Sequence, residues 1–274
     1  MPQVIPLTAA PHGFGKTSRR DTWWTTPLAV FAGFTTFIVY STWAALQNAH
    51  YISGPYLSPF YAPLLFVSPG APGLEHAWFG TVPAWWPAFV PFSPALLILP
   101  FPGLFRFTCY YYRGAYYKAF WADPPACSVG EPRTSYLGEN SFPLILQNIH
   151  RYAYYIAVLF IFMLAYDVWL ATRFPVVGAP GQHEFGVGLG TLVLAVNVVL
   201  LASYTFGCHS GRHIFGGRKD EVSKSPALSA CYDCVTSLNT RHMLFAWMSL
   251  FSVGLSDVYV RLCSMGVLHD WRIL

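Results

Sequence analysis

The chain has 274 residues, of which 54% are hydrophobic and 10% charged, against roughly 25% charged in ordinary soluble domains. With a mean hydropathy of +0.41, it belongs among membrane proteins rather than soluble ones. A formal charge of +4 gives no basis for binding nucleic acid, and six cysteines are too few for a disulfide scaffold.

Residues 1–24 are polar and carry Lys16, Arg19 and Arg20. The apolar run that follows begins too late and runs too long for a cleavable signal peptide, so this stretch reads as a cytoplasmic tail before an uncleaved helix. Residues 25–274 read as a single transmembrane domain. A spanning helix needs about 20 mostly apolar residues. Five segments qualify, near 27–47, 94–116, 144–170, 186–208 and 243–262, which predicts an all-α five-helix bundle. Trp23 and Trp24 stand where an aromatic anchor belongs.

An odd number of crossings puts the termini on opposite sides. Twelve of the sixteen Lys and Arg residues then fall on the N-terminal side: Lys16, Arg19, Arg20, Arg113, Lys118, Arg133, Arg151, Arg212, Arg218, Lys219, Lys224 and Arg241. Arg173, Arg261 and Arg272 fall on the other, and Arg106 lies inside the second helix. The positive-inside rule places the N-terminus in the cytoplasm and the C-terminus outside. Four crossings would split the strongest basic clusters between the two faces. Between the first two helices, Tyr51–Pro91 is aromatic, rich in Pro and nearly uncharged. It suits the outer interface or a re-entrant piece. The loops Trp121–Phe142 and Ile214–Ser237 are polar and long enough to meet a soluble partner.

The chain repeats itself. Phe107-Thr-Cys109-Tyr-Tyr-Tyr-Arg113 ends the second helix and Phe206-Gly-Cys208-His-Ser-Gly-Arg212 the fourth, both reading F-x-C-x-x-x-R. The third helix opens near His150 and the fifth near His242, and further along come Asp167-Val-Trp-Leu and Asp257-Val-Tyr-Val. Helices two and three thus match helices four and five, and each hairpin supplies one Cys and one His. Such a Cys₂His₂ set suits structural zinc or a Rieske-type [2Fe–2S] centre. The C-x-H and C-x-x-H loops of soluble Rieske proteins are absent. A rival reading makes His150 and His242 the axial ligands of haem b. Taken singly, an intramembrane His is more often a bundle hydrogen-bonder and a buried Cys more often core. The pairing is what turns these residues into a metal hypothesis.

His209, Arg212 and His213 follow Cys208 directly. They either complement a helix terminus or offer donors to a quinone head group, with Arg113 and Tyr110 as companions and Arg106 and Tyr112 nearby. Asp167 and Asp257 are expected to pair with Arg173 and Arg261. Cys231 and Cys234 form a lone C-x-x-C, read as free thiols, and Cys263 as core. Cys127 is the nearest substitute ligand, with His209 and His213 behind it.

The stretches FRFTCYYYRGAYYKAFW, PPACSV, LQNIHRY, YTFGCHSGRH and LNTRHMLFAW resemble the membrane-anchor subunit of actinobacterial succinate dehydrogenase, the mycobacterial type with one five-helix anchor. The resemblance runs from about the first helix to the end. It implies a bacterial inner-membrane respiratory complex in which a flavoprotein subunit oxidises succinate and an iron–sulfur subunit relays electrons to the anchor and quinone. It also implies a membrane-embedded Rieske-type cluster in place of haem b, a role the repeat assigns to Cys109, His150, Cys208 and His242. A transporter with internal repeats is the reading from another class. Transporters bind near the bilayer midplane, whereas here the polar residues gather at one face.

Overall fold

The computed structural model describes residues 13–274 except 88, 136, 137, 139, 143, 177, 180, 218, 219 and 222. The start of the predicted tail and the loop cations Arg218 and Lys219 lie outside the described residues. The fold is mainly helical, with α1 (Thr25–Gln47), α2 (Pro94–Ile98), α3 (Pro100–Thr108), α4 (Tyr110–Tyr116), α5 (His150–Leu170), α6 (Leu189–Phe206), α7 (His209–Gly216), α8 (Pro226–Thr240) and α9 (His242–Ser264). Among the described residues, four helices are long and apolar enough to cross a membrane: α1, α5 with its 3₁₀ lead-in from Leu144, α6 and α9.

The predicted second span is not one helix. Pro94 opens α2, Pro100 cannot donate a backbone hydrogen bond, and Cys109 adopts an extended conformation between α3 and α4. A π-helical turn, Tyr117–Trp121, follows.

Two compact units divide the chain, residues 1–36 with 107–148 and residues 37–106 with 149–274. In the first, the tail is fastened to the loop after α4. Gly15 and Gly130 bond through N–H to carbonyl at 3.0 Å, Gly130 returns a bond to Lys16 at 2.8 Å, and Arg19 donates to the Cys127 carbonyl at 2.9 Å. The loop is braced by Arg133, paired with Asp123 at 3.2 Å. Phe31 packs on Phe120 at 4.8 Å and Phe34 on Tyr112 at 5.3 Å. Gln147 is fully buried, and its side chain bonds both Tyr116 and Tyr117.

The second unit holds α5, α6 and α9, together with the chain from β1 (Ile52–Ser53) and β2 (Tyr56–Leu57) to α3. The two strands form a hairpin with Ile52 opposite Leu57. The aromatic segment divides in two. Tyr51, Phe60, Tyr61, Leu64 and Val67 are core, packed with Ala44, Ala45, Ala95 and Leu164. Trp78, Phe79, Trp85 and Phe89 are exposed, as interfacial anchors would be. After α9 the chain turns back, and Asp270 accepts bonds from Tyr56 and Tyr259, each at 2.6 Å, and from the Gly190 amide at 2.9 Å.

Of the two expected ion pairs, one forms. Asp257 and Arg261 meet at 3.3 Å, with Tyr40 and Ser58 donating to the carboxylate and Arg261 donating to the Ala49 carbonyl. Asp167 and Arg173 do not pair. The reason is spacing: four residues along one helix bring side chains together, whereas α5 ends at Leu170 and Arg173 begins β3 (Arg173–Pro175), which pairs with β4 (His183–Phe185). Its guanidinium lies 4.8 Å over the Trp169 ring, and Asp167 Oδ2 is buried without a hydrogen-bond partner among the described residues.

Candidate functional site

Both repeat cysteines stand at a helix break of the same kind. Cys109 has φ −63° and ψ 132°, and Cys208 has φ −68° and ψ 148°. Each caps the short helix that follows, its carbonyl accepting the amide of the repeat arginine: Arg113 at 2.9 Å and Arg212 at 3.3 Å. Both cysteines are buried.

A break in an apolar helix strands backbone acceptors that must find other donors, and each break has one. Tyr116 hydroxyl donates to the Phe107 carbonyl at 3.0 Å, and the Asn239 amide donates to the Gly207 carbonyl at 2.8 Å. The second arrangement needs a glycine, because a Cβ at residue 207 would lie 2.8 Å from the Ser203 carbonyl and 3.1 Å from Leu238.

His150 is 2% exposed, and its Nε2 stands 2.9 Å from Cys208 Sγ. One face of the His150 ring is covered by Phe105, stacked at 5.1 Å and 7°. The His242 ring is covered by Tyr204, stacked at 5.0 Å and 17°. Phe105 and Tyr204 are neighbours at 5.3 Å. These two aromatics were not singled out by the sequence reading. Their signal was available, since each lies four residues before a repeat cysteine.

Of the proposed ligands, the structure brings His150 and Cys208 together and holds His242 against Tyr204 in the same unit. Cys109 belongs to the other unit. Among the described residues, no three His, Cys, Asp or Glu side chains converge on a point that one metal ion could take.

The residues expected to meet a quinone form two sets. On α7, His209 and His213 meet Nε2 to Nε2 at 3.0 Å, so one ring must donate to the other. Arg212 donates to Tyr232 of α8 at 2.9 Å. Burial, then the neighbouring His213 and Arg212, hold His209 below its ordinary pKa, which favours the neutral ring. In the other unit, buried Arg113 donates to the Gln147 carbonyl, and its guanidinium covers the exposed Tyr110 ring at 4.6 Å. The Nε of Arg113 and that of Arg212 are each buried without a hydrogen-bond partner among the described residues. Cys231 and Cys234 are exposed on α8, Cys127 is exposed, and Cys263 is half-buried.

Comparison with known proteins places this architecture. A family model described as actinobacterial succinate dehydrogenase subunit SdhC matches residues 25–266. A solved chain of the Mycobacterium smegmatis Sdh1 complex in the apo form is similar over 98% of both chains, at 42% identity and a TM-score of 0.84. No curated protein sequence matches. With the helix breaks, the apolar helices and a family match over almost its whole length, the chain belongs to the actinobacterial SdhC family, membrane subunits of succinate dehydrogenase.

Proposed function

We propose that this subunit anchors succinate dehydrogenase in the bacterial cytoplasmic membrane and passes electrons from the iron–sulfur subunit to quinone through a [2Fe–2S] centre held by Cys109, His150, Cys208 and His242. The observation that carries the reading is the 2.9 Å approach of His150 Nε2 to Cys208 Sγ, two side chains 58 positions apart drawn from the two halves of the repeat. The matching backbone at Cys109 and Cys208 supports the pseudo-repeat. When bound, the cluster supplies a one-electron carrier whose imidazole ligands raise its potential towards that of a quinone.

The chain's own contribution is electrostatic and steric. An uncompensated charge in low dielectric is costly, and the backbone turn places Arg113 and Arg212 one helical turn beyond each cysteine. Phe105 and Tyr204 cover one face of each imidazole and fix its orientation. Rieske ligation pairs like with like, two thiolates on one iron and two imidazoles on the other. The pair seen here is mixed, so the spectrum has to decide the arrangement.

In this reading the broken segment Pro94–Tyr116 is the fifth crossing. A crossing needs about 20 mostly apolar residues, and this segment has them. The basic residues then place the N-terminus in the cytoplasm and the C-terminus outside. The tail, its partner loop around Cys127–Gly130, and α7 with α8 face the iron–sulfur subunit, and lipid surrounds the long helices. Arg212, Arg113 and Tyr110 serve quinone reduction at that face as hydrogen-bond donors, and the His209–His213 pair relays the protons.

The test is one variant of the whole complex, His150→Ala with His242→Ala, read by iron content, EPR after dithionite and quinone reduction. Loss of an EPR signal of low average g together with quinone reduction is the expected result. A full signal with normal quinone reduction would falsify the ligand assignment, and loss of a visible alpha band with no cluster signal in the parent complex would assign haem b instead. Reporters fused after Gly70 and after Gly130, which flank the broken segment, are expected on opposite sides of the membrane, and finding them on the same side rejects the fifth crossing; reporters at Lys219 and after Leu274, which flank α9, are likewise expected on opposite sides.

A further inference from the structure

The α7 stretch His209-Ser-Gly-Arg-His213 sets two histidines four positions apart, the spacing that brings side chains together on one face of a helix. Other faces of α7 pack inward. Ser210 and Gly211 are buried, and a Cβ at residue 211 would stand 3.0 Å from the Tyr154 hydroxyl of α5. At the far end of the helix, a Cβ at residue 216 would stand 2.5 Å from the Tyr232 ring of α8. Glycine thus lets this short helix lie close against α5 and α8 while both imidazoles stay exposed. Arg212, between them in sequence, is engaged elsewhere. It donates to the Tyr232 hydroxyl at 2.9 Å, with its guanidinium 5.4 Å from that ring centre.

The two Nε2 atoms are 3.0 Å apart, and the rings stand at 78° to one another. Two nitrogens that share one metal ion have about this separation. With the ion about 2.0–2.1 Å from each, a gap of 3.0 Å corresponds to an angle of about 95° at the metal, and about 0.3 Å of further opening reaches the tetrahedral angle. Paired histidines at this helical spacing form two of the zinc ligands in a recurrent metalloprotease motif. Chelation needs both neutral rings in one tautomer, with the proton on Nδ1. The ring that now donates moves its proton from Nε2 to Nδ1, and no net proton is released. His213 Nδ1 has space for this, because its neighbour is Gly217, where a Cβ would stand 2.8 Å away.

We infer that His209 and His213 form a binding site for an exchangeable divalent transition ion of the zinc class. Imidazole suits zinc, copper and nickel, whereas magnesium and calcium take oxygen ligands. Among the described residues, no third His, Cys, Asp or Glu joins the pair. Water then completes the coordination, and two protein ligands hold the ion less firmly than the four of a structural zinc site. The consequence for activity rests on the reading that this pair relays protons to quinone. With both Nε2 lone pairs on the ion, the hydrogen bond between the rings is gone and the relay stops. The ion therefore inhibits quinone reduction and spares succinate oxidation by a soluble dye. The rival site is the thiol pair exposed on α8, Cys231 and Cys234, which would hold zinc through sulfur.

The experiment uses the purified whole complex in lipid nanodiscs, washed with EDTA and titrated with zinc chloride. Bound zinc is measured by equilibrium dialysis, its ligands by X-ray absorption at the zinc edge, and iron content alongside. The parent complex is expected to bind zinc through nitrogen at about 2.0–2.1 Å, without sulfur at about 2.3 Å, and to keep its iron. Excess magnesium is expected not to compete. His209→Gln and His213→Gln are each expected to weaken the binding about tenfold or more, a loss of about 1.4 kcal/mol at tenfold. His213→Cys, which offers a thiolate in place of the imidazole, is expected to restore it with one sulfur in the spectrum. Cys231→Ser with Cys234→Ser is expected to leave it unchanged. Co-purification of the flavin-bearing subunit checks that each variant assembles. Unchanged affinity in both glutamine variants, zinc held by sulfur and lost with the two cysteines, or iron displaced in step with zinc uptake overturns the site. Zinc bound at the pair while quinone reduction keeps its full rate leaves the site standing and rejects the proton-relay reading instead.

Discussion

The two halves of the repeat agree at the end bearing the cysteines and disagree at the end bearing the aspartates. At the first end, Cys109 and Cys208 share a backbone conformation, cap helices of similar design and precede an arginine whose amide closes the turn. At the other, Asp257 is tied into a network with Arg261, Tyr40 and Ser58, while Asp167 Oδ2 has no partner among the described residues and Arg173 lies on Trp169. The shared local backbone falls where the proposed chemistry needs a cysteine and an arginine at fixed spacing. Where only packing is at stake, a change from four residues to six between acid and base was enough to dissolve the pair.

The largest expected effect tests the agreement. Cys109→Ala and Cys208→Ala, each in the whole complex, are expected to lose the low-g EPR signal and quinone reduction to the same extent. If one keeps a full signal, the halves are not equivalent and Cys127, His209 or His213 becomes the candidate for the missing ligand.

Next in size is the disagreement. Asp257→Ala leaves Arg261 buried without its carboxylate, and removing one partner of a buried pair costs about 3–5 kcal/mol. Asp167→Asn removes no pair, and a shift within about 1 kcal/mol is expected. Thermal unfolding of the two variants in detergent measures the contrast. Equal losses would mean that Asp167 has a partner of comparable strength.

The smallest effect separates the two ways of closing a break. Asn239→Ala strands the Gly207 carbonyl, whereas Tyr116→Phe strands the Phe107 carbonyl and also takes an acceptor from the buried Gln147 amide. A buried acceptor left unsatisfied costs about 1–3 kcal/mol. The larger loss is expected for Tyr116→Phe in the same measurement, since it breaks two hydrogen bonds against one. A loss in one alone would show that water or a neighbouring group already serves the other carbonyl.

Much was legible before any coordinates. The long apolar runs placed α1, α5, α6 and α9 to within a few residues, because hydropathy over a window of span length is a property of composition alone. The second run was apolar enough to qualify, yet Pro100 and Cys109 divide it, and windowed hydropathy does not register a lost amide donor or an extended residue. The buried half of the aromatic segment was also out of reach. Tyr51 and Tyr61 stack at 4.3 Å in the core, while Trp85, of the same residue class, is exposed.

For the candidate site, sequence by itself determined which residue types recur and at what spacing: one Cys, one His, one Arg and one Asp per half. It also determined that Asp257 and Arg261 would meet, since four positions along a single helix fix both side chains on one face. Only the tertiary structure decided that His150 faces Cys208, that Phe105 and Tyr204 cover the two imidazoles, and that Arg173 turns away from Asp167. Those contacts join residues on different helices or across a helix end. Nothing in local spacing encodes them, because they depend on how whole helices are rotated and set against one another.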